Sequence, residues 1–551
     1  MSSSKLKKEN TASFLKNIMM LMFSQVVVKL LGLVYRVAIV DAEGFGNTGN
    51  GYYATGYQIY MILLAISSIG IPNVISKLVS ERTASGDYIG AHRLFKMALA
   101  LFGSVGFVLS LALFFGADFI ASVLLKAAGV KYTLMVLSPA LTFVSISAVL
   151  RGYFAGLGSM KASSSSQVIE QFFNCVLSIG FVYACVGKDT AIMAAAGNLS
   201  TTCACAVAFS YLAVFYRRRR AEIKQECKVQ TVLSEQKSRK QLIKTILTMS
   251  VPITISSLIT TANSAIDIFT VSDGIQRAFS SVISSAAELE ERAMELYGIL
   301  QKAEVITHLP LAISGTLCAA IVPVISSLIA KKDTAGVQSK ISFAVFVSTV
   351  LMFPCMSGLM VLSQPVLKLL YPSVPEGSLM LVLLLTTLPF SSLTYVLNGI
   401  LYGISKQHIP AIALGVGSVI KLVLNIVLIN IPSLNIYGAI IGTLVYQIFV
   451  FTVETVVVFR YVDIKLDYMK CFIKPLLSSA VMGGAVYLCY RFLSGFAGNT
   501  VSTLVSIAIG VLVYAITILL FKTATASDIM GMPKGEKIVS LLKRLHLLKE
   551  E

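Results

Sequence analysis

The stretch Ala411–Ile429, AIALGVGSVIKLVLNIVLI, decides the fold class: it holds one charge, Lys421, and one side-chain amide, Asn425. A second stretch, Leu504–Phe521, reads LVSIAIGVLVYAITILLF and holds no charge. A membrane-spanning helix needs about 20 predominantly apolar residues, whereas a strand of an outer-membrane barrel alternates over about ten. Neither stretch alternates, so both are transmembrane helices and the chain is read as an all-α polytopic membrane protein. The composition agrees. Of 551 residues, 56% are hydrophobic and 13% charged, about half the charge of an ordinary soluble domain.

Fourteen stretches meet the length and hydropathy condition, beginning near residues 14, 52, 95, 133, 165, 190, 245, 304, 341, 378, 410, 436, 472 and 500. With the N-terminus inside, about 32 of the 45 Lys and Arg fall in cytoplasmic segments, the asymmetry that orients membrane proteins. Topology thus accounts for most of the net charge of +18, and nucleic acid is not required as a partner. The expected location is the cell membrane, multi-pass, with both termini cytoplasmic.

Arg217, Arg218, Arg219 and Arg220 open the strongest composition break. It divides the chain into an N-terminal six-helix lobe (1–216), a basic cytoplasmic linker (217–244) and a C-terminal six-helix lobe (245–460). Two additional helices (461–522) and a cytoplasmic amphipathic tail (523–551) follow. The insertion Ser272–Tyr297, with Glu288, Glu290, Glu291 and Glu295, is expected outside as a short surface helix. In the tail, Ile538, Leu541, Leu542, Leu545 and Leu548 at helical spacing against Lys537, Lys543 and Arg544 suit an interfacial helix.

An internal repeat accompanies that division. Residues 72–76 (PNVIS) return as 323–327 (PVISS), and 152–156 (GYFAG) as 399–403 (GILYG), offsets of 251 and 247. With an even number of helices in each copy, the two share one orientation, as in transporters built from parallel repeats.

The charges inside the spans are the candidate functional residues, since each costs about 2.5–3.5 kcal/mol to insert at mid-bilayer without a partner or a hydrated cavity. Gln25, Lys29, Gly32 and Arg36 fall on one face of the first helix, a stripe that suits phosphate. Lys29 either faces a cavity or snorkels, and Arg36 either joins it or sits at the outer interface. Gln167, Glu170, Gln171 and Asn174 form one polar face of the fifth helix. There Glu170 either meets a Lys or Arg across the bundle or serves helix-to-helix hydrogen bonding. Asp267, in register with Ser256, Thr260 and Asn263, is the acid most readily connected to a coupling cation. Lys421 and Asn425 stand one turn apart in the eleventh helix, where Lys421 either pairs with Asp267 or acts as a further phosphate ligand. Glu454 lies near the cytoplasmic end of the twelfth helix and is expected to be solvated.

No phosphate-binding P-loop, HExxH or GxSxG motif occurs, so direct ATP drive, metal catalysis and hydrolase chemistry have no sequence support. No cofactor and no metal site are expected. The nine cysteines lack the paired spacing of zinc ligands.

Taken in order, Lys29, Gly32, Tyr35 and Arg36; Gly51, Tyr52, Tyr57 and Tyr60; the run Gly70 to Lys77; Gly152, Tyr153, Phe154 and Gly156; Gln167, Glu170 and Gln171; Pro252 and Asp267; and the block from Asn398 through Lys421, Asn425, Gly438 and Gly442 to Thr443 resemble the SpoVB and YtgP branch of the MOP flippase superfamily. These are relatives of the MurJ-type lipid II flippases. The resemblance implies fourteen helices in two lobes around a central cavity, with the last two helices sheltering a lipid tail. It implies transport of an undecaprenyl-diphosphate-linked saccharide, lipid II foremost, from the inner to the outer leaflet, with membrane lipids and a coupling cation as further partners. MurJ proteins carry Arg-Asp late in the first helix, whereas here Tyr35-Arg36 is followed by Val37. A MATE-like multidrug exporter of the same fold would favour carboxylates and aromatics over two cations. A membrane glycosyltransferase or polymerase would need a positioned catalytic carboxylate and a sizeable loop domain.

Overall fold

The structure, a computed structural model, describes residues 27–229, 238–462 and 466–523. Gln25, the linker positions 230–237 and the tail from residue 524 lie outside the described residues. Regular structure among the described residues is helical throughout, and thirteen segments there are long and apolar enough to span a membrane. The first expected span is described from residue 27 as helix α1 (27–40).

The chain forms two compact units, Met1–Gly298 and Ile299–Glu551. In the first, α1 is followed by α2 (Gly46–Ser67), α3 (Ile71–Ala84), α4 (Tyr88–Phe119), α5 (Val130–Gly156), α6 (Lys161–Ala184), α7 (Thr190–Val229) and α8 (Arg239–Phe279). Helix α9 (Ala286–Ala330) runs across the boundary. The second unit continues with α10 (Thr334–Val361), α11 (Ser363–Leu370), α12 (Ser378–Leu385), α13 (Leu388–Gly403), α14 (His408–Leu428), α15 (Ile436–Tyr461), α16 (Lys474–Leu493) and α17 (Asn499–Leu520). The four arginines 217–220 prolong α7 beyond its apolar part, so the basic segment begins as helix.

Of the two repeated motifs, the pair 152–156 and 399–403 recurs in the packing of each unit, whereas on the helix it meets Pro72 and Ser76 are matched by Cys318 and Val322, 246 residues on, so 323–327 is not the structural counterpart of 72–76. Gly152 and Gly156 of α5 lie against α3, where a Cβ would come within 2.7 Å of the Pro72 carbonyl oxygen and 2.8 Å of that of Ser76. Gly399 and Gly403 of α13 lie in the same way against Cys318 and Val322 of α9. Small residues let two backbones approach where lipid supplies no hydrophobic drive between helices. Two further pairs match, each absent from the motifs that first showed the repeat. Ser68 and Ser145 share a hydroxyl contact at 3.4 Å, as Ser314 and Ser392 do at 2.7 Å. Asp87 caps α4 by accepting from the Gly90 N–H, and Asp333 caps α10 by accepting from that of Gly336, both at 2.8 Å. In unit 1 the stretch before these contacts is broken at Ser68–Gly70 into α2 and α3, with Pro72 in the first turn of α3. In the repeat it runs on as α9 through Pro310 and Pro323.

The acidic insertion is not a short surface helix. Its first turns belong to α8 and its later ones to α9, because the start of α9 is held against α2. A Cβ on Gly51 would collide with the Met294 carbonyl, and one on Gly298 with that of Asn47. Glu290 accepts from the Tyr52 hydroxyl and from the Gly129 N–H, each at 2.9 Å, while Lys126 and Asp273 pair at 2.5 Å. Gly298→Ala is therefore expected to lower the detergent-solubilised melting temperature, with overpacking costing about 1–3 kcal/mol or more. Gly315→Ala, where nothing lies within 4 Å of the added carbon, should instead be neutral or stabilise by up to about 1 kcal/mol. Equal melting temperatures for the two variants would show that the α2–α9 approach is not close.

Candidate functional site

The polar groups of unit 1 form a seam that crosses α1, α2, α7, α6 and α5. On α1, Lys29, Gly32 and Arg36 share one face at helical spacing. Lys29 is exposed and Arg36 half-buried. Gly32 turns toward α6, since a Cβ there would stand 3.6 Å from Gln171 Nε2. On α2, Tyr53, Tyr57 and Tyr60 recur at i, i+4 and i+7, which stacks their rings along one side. Tyr53 and Tyr57 lie nearly parallel, centroids 6.1 Å apart and planes at 11°, and the Tyr60 ring follows at 5.7 Å from Tyr57. The Arg36 guanidinium carbon is 5.8 Å from the Tyr53 centroid and 6.0 Å from that of Tyr57. The Tyr35 hydroxyl meets that of Tyr53 at 3.2 Å.

Aromatic faces hold a guanidinium without consuming its N–H fork. Among the described residues no carboxylate pairs with Arg36 or Lys29, the two cations lying about 10 Å apart along α1. A group with two anionic phosphates has charge to match both.

Further along the seam the Cys205 thiol is 3.8 Å from Glu170 Oε1. Glu170 Oε2 forms an ion pair with Arg151 at 2.5 Å, and Arg151 Nε donates to the Ser166 hydroxyl at 2.9 Å. This ion pair neutralises Glu170 locally and leaves the charge of Arg36 uncancelled. Asn174 lies deeper and serves helix packing: its Oδ1 accepts from Ser200 at 2.6 Å and from Thr201 at 3.4 Å. Gln167 and Gln171 are partly exposed on the same helix.

The remaining sequence candidates are distributed between the units. Asp267 is buried on α8, in unit 1. Lys421 and Asn425 are buried on α14, in unit 2, where the Lys421 stem lies 3.6 Å from the position of a Cβ on Gly442 of α15. Glu454 is not solvated. It is fully buried in unit 2 because α15 carries it one turn beyond Val450, inside the contacts with α13 and α14. Gln25 falls outside the described residues.

Two participants were not among the sequence candidates. Arg151 sits beside Gly152 at a helix end where basic residues are common, so only the identity of its partner distinguishes it. Tyr53 was hidden among four tyrosines between 52 and 60; the i, i+4, i+7 spacing was the available signal.

The model of the family described as polysaccharide biosynthesis protein matches residues 14–329, and that of the MatE family matches residues 279–427. Among curated relatives, the chain is 25% identical to stage V sporulation protein B of Bacillus subtilis (strain 168) over 95% of this chain and 98% of that one. It is 24% identical to lipid II flippase MurJ of the same organism over 88% and 90%. A solved structure of lipid II flippase MurJ in an inward closed conformation superposes with a TM-score of 0.68 at 16% identity, covering 91% of this chain and 98% of that one. The fold, the span pattern and the match over more than half the sequence agree: the chain is a multi-pass membrane protein that belongs to the polysaccharide biosynthesis protein family.

Proposed function

We propose that this protein is a flippase that moves an undecaprenyl-diphosphate-linked saccharide, lipid II foremost, from the inner to the outer leaflet of the cell membrane. The observation that carries the proposal is Arg36: a cation beside the Tyr53–Tyr57 stack, about equally far from both rings and unclaimed by any carboxylate among the described residues. A diphosphate cannot cross hydrocarbon unaided. Charge-assisted hydrogen bonds from Arg36, with Lys29 on the same helix face, replace the water it loses. The name of one Bacillus subtilis relative, a lipid II flippase, and the description of the family, polysaccharide biosynthesis protein, support the cargo class. No bond is made or broken, so the protein acts as a transporter and not an enzyme.

Lobes of six spans at 1–216 and 245–460 accord with the repeated glycine and aspartate contacts, and 461–522 adds two helices. In this scheme α8 opens the second set as α1 opens the first, although its packing partners α2 and α4 belong to unit 1. Asp267, Lys421 and Asn425 are proposed to serve energetic coupling within their own helices' surroundings.

The proposed orientation puts both termini and Arg217–Lys244 in the cytoplasm. In a cysteine-free background, a cysteine at 282, where Val282 is 79% exposed, is expected to react with an impermeant maleimide added outside intact cells. A cysteine at 225 should react only after permeabilisation, and the reverse pattern would invert the topology. The cargo is tested in proteoliposomes: undecaprenyl-diphosphate-linked disaccharide should become accessible on the far leaflet with the wild-type protein and not with empty vesicles.

A further inference from the structure

Glu454 is fully buried on α15, and neither carboxyl oxygen has a hydrogen-bond partner among the described residues. It stands seven residues before the end of the helix at Tyr461, about 10 Å along the axis. The groups that face it are neutral. Cys318 of α9, Tyr402 of α13 and Tyr446 of its own helix are within electrostatic reach. Tyr395 and Asn398 share the stripe of α13 with Tyr402 at helical spacing, and Asn398 Oδ1 is likewise buried without a partner. Between Ile409 and Ile420 α14 carries no ionisable side chain, and α12 carries none at all.

The cations of the neighbouring elements lie elsewhere. Lys421 packs at Gly442, about 18 Å along α15 from Glu454. The Lys406 ammonium sits over the Tyr461 ring, 4.8 Å from its centroid, at the helix end. The repeat shows what is missing. Unit 1 joins the carboxyl of Glu170 to Arg151, whereas the corresponding positions of unit 2, each 247 residues later, hold Gly417 and Asn398. Unit 2 has moved an acid to the adjacent helix and omitted the guanidinium.

An ionised carboxylate without a counter-charge is expensive away from water, and an acid in such a place inside a membrane protein commonly marks an ion pathway. A hard metal cation needs several oxygen ligands; a proton needs one. We propose that Glu454 is a proton-binding site of unit 2. It takes a proton from hydronium when water reaches it, one O–H bond forming as another breaks, and keeps that proton while buried among Cys318, Tyr402 and Tyr446. Because the buried acid is neutral and the hydrated one charged, any rearrangement that opens this part of unit 2 is linked to proton movement. This link to transport rests on the flippase reading above.

The test is infrared difference spectroscopy on the full chain reconstituted in vesicles, with a flipping assay on the same preparation. A protonated-carboxyl C=O band is expected in the wild type near neutral pH. It should be lost in Glu454→Gln and return at a shifted position in Glu454→Asp, while Tyr402→Phe moves it without removing it. Absence of the band from the wild type, its persistence in Glu454→Gln, or its loss on adding sodium at fixed pH would each overturn the proton site. Undecaprenyl-diphosphate-linked disaccharide serves as the transport probe. Its movement should respond to an imposed pH gradient in the wild type and lose that response in Glu454→Gln; an equal response in both would overturn the link to transport. A probe that does not move while the band behaves as expected refutes the flippase reading and leaves the proton site standing. A moving probe with no band refutes the site alone.

Discussion

Arg36→Ala is expected to cut flipping of the diphosphate-linked lipid by about ten- to a hundredfold, the loss of one hydrogen bond to a charged group at about 1.5–3 kcal/mol. The Tyr53 and Tyr57 rings lie within cation–π reach of the guanidinium, so the group that meets an anion is lost with the side chain while the tyrosine stack remains. Arg36→Lys should retain part of the activity, because an ammonium keeps the charge and loses the planar fork. Removing one ring, as in Tyr57→Leu, should cost less, about 0.5–2 kcal/mol of cation–π energy. Expression level and helical content measured beside the flipping rate separate a site effect from a folding one. Wild-type flipping by the Lys29→Ala/Arg36→Ala double variant would remove the anion site.

The second large effect concerns stability. Glu170→Ala leaves Arg151 mostly buried without its carboxylate. Breaking a buried ion pair from one side costs about 3–5 kcal/mol, and the Arg151 side chain here is only 12% exposed. The paired replacement Arg151→Met/Glu170→Leu removes both charges and should recover most of that loss, since neither is then left stranded. A double-mutant cycle on the melting temperature reads the coupling directly. Additive single effects would mean that the pair contributes nothing as a pair.

Most of the architecture could be read from hydropathy, because a span announces itself by length and by the lack of charge. Expected starts at 190, 378 and 436 coincide with Thr190, Ser378 and Ile436, and those at 133, 165, 410 and 500 fall within a few residues, whereas the one expected at 304 belongs to a helix that begins at Ala286. The acidic insertion failed because its residues look like a loop by charge, while the approach of α9 to α2 through Gly51 and Gly298 depends on tertiary contact. Glu454 failed for a related reason: distance from a helix end says how near water is along the axis, and says nothing about what neighbouring helices cover. In the seam, the stripe of α1 was legible from periodicity alone. Arg151 was not, since its role lies in the partner it meets on α6, and a spacing rule along one helix cannot supply a contact between two.

Depletion of the protein in its native cell, followed by a leaflet-resolved assay of undecaprenyl-linked precursors, tests the cargo itself. Lipid II or a related diphosphate-linked saccharide is expected to accumulate on the inner leaflet, and Arg36→Ala to leave the accumulation in place while the wild-type chain relieves it. An unchanged distribution of these precursors between the leaflets after depletion, with no other flippase of the family present in the cell, would contradict it.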